Sequence, residues 1–63
     1  MGRQILTTYE NKILDTRDSN EYTCWDEYEE VVSNLSPDTP EGVTVTLITS
    51  GGHTLAKHRV EPI

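Results

Sequence analysis

The chain has 63 residues, 33% of them hydrophobic, and a net charge of −6 from 11 acids against 5 bases. That length supports one domain, 1–63, with a core below the roughly 70–80-residue range at which a lone hydrophobic core becomes comfortable. Cys24 is the only cysteine, which excludes an internal disulfide, and the acidity disfavours DNA, RNA or an anionic membrane as a direct ligand.

At the N-terminus, MGRQILTTYE lacks the apolar block of a signal peptide, and Leu6 stands where the myristoylation pattern requires Ser or Thr. No apolar run approaches the roughly 18 residues of a membrane span, so the chain reads as cytoplasmic. RQILTTY, residues 3–9, is rich in β-branched and aromatic types, and ILDT follows a polar ENK; together they predict a first β-hairpin. Its turn is open between a two-residue loop at Glu10-Asn11 or Asn11-Lys12 and a three-residue loop at ENK. RDSNEY then reads as the end of the second strand and a connecting loop.

TCWDEYEEVVSNLSP, residues 23–37, predicts one short helix. Thr23 is its N-cap, with a hydroxyl placed to accept the Asp26 N–H, and Pro37 is its stop. At about 100° per residue, Cys24, Trp25, Tyr28, Val31, Val32 and Leu35 share one arc, which assigns Trp25 and Tyr28 to the core. Asp26, Glu27, Glu29 and Glu30 fill the opposite side with no base among them. SPDTPEG is the loop that follows. VTVTLITSGGHTLAKHRV then alternates on both sides of a Gly pair, which predicts a second hairpin turning at Gly51-Gly52. In that register Val43, Val45 and Leu47 face Val60, His58 and Ala56, while Thr44, Thr46 and Ile48 face Arg59, Lys57 and Leu55.

The fold class is therefore α+β, in the order ββαββ, with the helix packed on one face of a small sheet. This order resembles the β-grasp arrangement of ubiquitin-like and immunoglobulin-binding bacterial domains, which implies a four-stranded mixed sheet. A helix-covered antiparallel sheet of another strand order is the rival.

No residue set converges on catalysis, a metal or a cofactor, so the chain reads as a non-enzyme. His53 and His58 are five apart on a strand, which sends them to opposite faces, and Cys24 sits on the apolar arc, where packing is its role. His58, on the Val45 side, is expected to be partly buried. TSGGHT lacks the lysine and following helix of a phosphate loop.

Charge is what remains. Residues 15–41 hold nine acids and one base, Arg17, for −8, while each flank is +1. The helix dipole accounts for two of the helix acids, Asp26 and Glu27, at about 0.3–1 kcal/mol each. Glu29 and Glu30 are left making like-charge pairs with Asp26. One reading is a solvated face that maintains solubility. The other is a partner-binding surface of Asp15, Asp18, Glu21, Asp26, Glu27, Glu29 and Glu30 that imitates phosphates toward a basic, nucleic-acid-handling protein. In size and charge the chain resembles the small acidic inhibitors of bacteriophages, which implies a target such as a host polymerase, a nuclease or a CRISPR effector. The alternative is a homo-oligomeric structural or regulatory module joined through exposed strand edges. A homodimer is compatible with either.

Overall fold

The structure, a computed structural model, describes residues 2–61. It contains β1 (Gly2–Tyr9), β2 (Lys12–Asn20), α1 (Cys24–Ser33), β3 (Thr44–Thr49) and β4 (Thr54–Arg59), the expected ββαββ order. The sheet order is β2-β1-β3-β4 and every neighbouring pair is antiparallel. The mixed sheet implied by the β-grasp likeness is thus not formed; the rival antiparallel topology is.

Composition explains the order. RQILTTY of β1 and TVTLIT of β3 have the β-branched and apolar content that two-sided pairing demands, and they take the centre. KILDTRDSN of β2 and TLAKHR of β4 carry charge, which edge strands tolerate. Ile5 faces Leu47 and Thr7 faces Val45 across the central seam. Ile5, Val45 and Leu47 are buried with Cys24 beneath the helix, and Tyr28, Val31, Val32, Leu35 and Ala56 pack around them. Val43, just before β3, is also buried and accepts the Val60 N–H at 2.8 Å.

Both hairpins reach this register through a bulge. Glu10 and Asn11, at φ 51° and 65°, form a two-residue turn between Tyr9 and Lys12, and the pairing then shifts at Leu14 so that Thr7 faces Asp15. In the second hairpin, Gly52 N–H donates to Thr49 O and Thr49 N–H to His53 O, which makes the loop three residues, 50–52. An odd loop alone would rotate every later β4 side chain to the wrong face. The skipped position at Leu55 absorbs the extra residue: Ile48 faces Thr54, not Leu55 as expected, and Leu47–Ala56, Thr46–Lys57, Val45–His58 and Thr44–Arg59 face each other as the alternation predicts.

The helix is shorter than its sequence signal. It ends at Ser33, with the Asn34 N–H on Glu30 O and the Leu35 N–H on Val32 O, because Leu35 turns inward to the core before Pro37 can act as the stop. Thr23 is the N-cap residue, yet its hydroxyl makes no capping bond; it donates to the Glu27 carboxylate at 3.2 Å. The approach to the helix is fixed instead by Asn20, whose Oδ1 accepts the N–H groups of Tyr22 and Thr23 at 2.8 and 2.9 Å.

Candidate protein-binding surface

Strand register decides where each expected surface carboxylate lies. Asp15, Arg17 and Ser19 face Thr7, Ile5 and Arg3, so they project on the helix-covered side of the sheet. Asp18 faces Gln4 on the opposite side and accepts its amide N–H at 3.3 Å. It is therefore separated from the helix acids by the sheet itself. Glu21 lies in the exposed turn leading to α1.

On the helix, Glu27 departs from the outward-facing role. It is half-buried on the flank nearest β2, where its carboxylate accepts the hydroxyls of Ser19 and Thr23, and Arg17 lies 3.5 Å away. The Ser19 hydrogen bond is the main reason its carboxyl sits below the ordinary glutamate range; Thr23 and Arg17 add to the lowering, and partial desolvation opposes it. Arg17 also reaches Glu30 at 3.9 Å. Asp26 and Glu29 are exposed, and neither makes an ion pair among the described residues. The solvent-facing acidic arc of the helix is thus Asp26, Glu29 and the outer side of Glu30, with Asp15 and Glu21 exposed beyond it and Asp18 on the other side of the sheet.

Aromatic side chains border that arc. Trp25 is 51% exposed, which corrects its assignment to the core, because its angular position places it at the rim of the helix–sheet contact and not over it. Its ring meets Tyr28 edge-to-face, with centroids 6.4 Å apart. Tyr28 is partly buried, and burial raises its phenol above the ordinary tyrosine range. Glu29 follows Trp25 by four residues, so carboxylate and indole are neighbours on one helix face. Tyr22 stands exposed in the preceding turn.

What the sequence does not disclose is the contact of Arg17, the lone base of its segment, and of Ser19 with Glu27. Their two-residue spacing places both on one side of a strand, but which side depends on the bulge at Leu14. Among the described residues no group of three or more His, Cys, Asp or Glu is arranged to hold a metal ion. Cys24 is buried and its thiol points to Glu21 O. His58 lies on the Val45 side as expected but is exposed and not partly buried, on the edge strand β4. No helix among the described residues is long and apolar enough to cross a membrane. Comparison with protein-family models, curated proteins and solved structures finds no match to this chain.

Proposed function

We propose that the chain is a small protein-binding module, an inhibitor of the phage type, whose helix presents carboxylates to a basic, nucleic-acid-handling protein and competes with nucleic acid for it. The observation that carries this reading is the split of the helix charges. Glu27 is engaged by β2, whereas Asp26 and Glu29 face solvent with no ion pair among the described residues and a half-exposed Trp25 alongside. Carboxylates beside an exposed aromatic suit an arginine-rich target, since a guanidinium can stack on an indole face while pairing with a carboxylate. Long-range attraction from a net charge of −6 would speed encounter with such a target and fade as salt rises.

The test is displacement of labelled DNA or RNA from a panel of bacterial polymerases, nucleases and CRISPR effectors, each titrated with the protein at low and high salt. The expected result is displacement from a target that weakens with salt and is lost in D26N/E29K while the fold is retained by circular dichroism. Equal potency of the variant, or binding indifferent to salt, would overturn the reading.

A further inference from the structure

The order β2-β1-β3-β4 leaves one ladder edge of β2 and one of β4 unpaired among the described residues. An unpaired edge offers a row of N–H and C=O groups to another strand unless length, charge or irregularity blunts it. β4 is blunted: it has six residues, a skipped position at Leu55, and Lys57, His58 and Arg59 in succession. β2 also has a skipped position, at Leu14, and four charged residues, but those are of both signs, and the strand is nine residues long, the longest among the described residues, with Ile13 and Leu14 at 63% and 58% exposure.

Its charge order is self-complementary in one register. If two copies join β2 to β2 about a twofold axis normal to the sheet, both helices lie on the same side, so facing residues must share a side. The axis then passes through a residue position. Placed at Asp15, Arg17 or Asp18, it sets like charges face to face, which is unfavourable. Leu14 is the skipped residue, and Ser19 leaves half the strand unpaired. Thr16 alone brings Asp15 of each copy opposite Arg17 of the other, with no like-charged facing pair.

We infer that β2 pairs antiparallel with β2 of a second copy of this chain, with Thr16 on the axis and Asp15 facing the partner's Arg17, merging two four-stranded sheets into one of eight. The irregularity at Leu14 restricts the ladder to a short central stretch around Thr16. Arg17 is 41% exposed in its side chain, so its fork reaches outward to the partner's Asp15 while retaining Glu27. The dimer carries both acidic helices on one face, and it does not depend on what those helices bind.

Sedimentation of the intact chain over a concentration series tests this. The wild type is expected to form a dimer, D15R and R17D are each expected to sediment as monomers, and an equimolar mixture of the two is expected to recover the dimer by restoring both pairs. T16C should cross-link between chains on mild oxidation, because facing Cβ atoms lie about 4.5–5.5 Å apart. T54C, on β4, should not. Because R17D also removes a helix contact, D15R and T16C decide the matter if R17D fails to fold. A wild type that stays monomeric at the highest concentration, a D15R that dimerises like wild type, or T54C cross-linking as readily as T16C overturns the inference.

Discussion

Glu27 joins two elements through donors on both, Ser19 and Arg17 from β2 and Thr23 at the start of α1. These donors favour the charged carboxylate, so its folded pKa lies below the unfolded one. The stability it contributes is then present above the ordinary glutamate value of about 4.3 and is lost as pH falls through the folded value. Thermal midpoints measured from neutral to acid should decline more in wild type than in E27Q, which has no proton to take up; parallel curves would mean the Glu27 contacts add nothing. Trp25 calls for a different expectation. Full burial would make truncation to alanine cost about 3–5 kcal/mol, but a half-exposed ring forfeits roughly half of that, so W25A should lower the urea-unfolding free energy by about 1.5–2.5 kcal/mol. A larger loss would place the indole over the core after all.

At the scale of elements, apolar periodicity was legible and local irregularity was not. VTVTLIT and TLAKHRV announce a hairpin, and four facing pairs, Thr44–Arg59 through Leu47–Ala56, follow from alternation alone. The Gly pair, however, fits a two-residue turn or part of a longer one equally well, and only the hydrogen bonds from Gly52 N–H to Thr49 O and from Thr49 N–H to His53 O separate them. The consequence is an asymmetry between the glycines. Gly52 has φ +85°, where a Cβ is strained, whereas Gly51 has no positive φ and an added Cβ would meet only ordinary contacts at 3.6 Å or more. G52A should therefore cost about 1–2 kcal/mol in urea unfolding and G51A little or nothing; equal costs would point back to a symmetric two-residue turn. The first hairpin gives the same lesson. Leu14 and Asp15 compete for one pairing position, and the choice sends Asp15, Arg17 and Ser19 to the helix side, so the compensation of Glu27 depends on a bulge that no periodicity signals. The helix face was readable as a pattern, but the width of its buried stripe was not, since that depends on how far a three-turn helix sits above each strand.

For the whole molecule, the electrostatics predict opposite responses to salt. A chain of net charge −6, with −8 concentrated in residues 15–41, repels itself when folded, and only Arg17 brings a cation into that segment. Screening over roughly 8–10 Å at 0.1–0.15 M salt relaxes this repulsion, so the thermal midpoint should rise between very low and physiological salt. Attraction to a basic partner is screened by the same ions and should weaken over the same range. Glu29 lies where the two effects meet. It is exposed, lacks an ion pair among the described residues, and falls three positions after Asp26, a like-charge spacing worth about 0.2–0.5 kcal/mol against the helix. E29K converts that repulsion into an attraction and leaves the first-turn acids Asp26 and Glu27 in place at the positive end of the helix dipole. For a domain of this size about 1 kcal/mol corresponds to roughly 4–8 °C, so E29K should raise the midpoint at low salt by a few degrees and flatten its rise with salt. Partner binding should fall in the same variant. A drop in the midpoint would show that Glu29 has a structural partner and that the outer helix face is not an open charged surface.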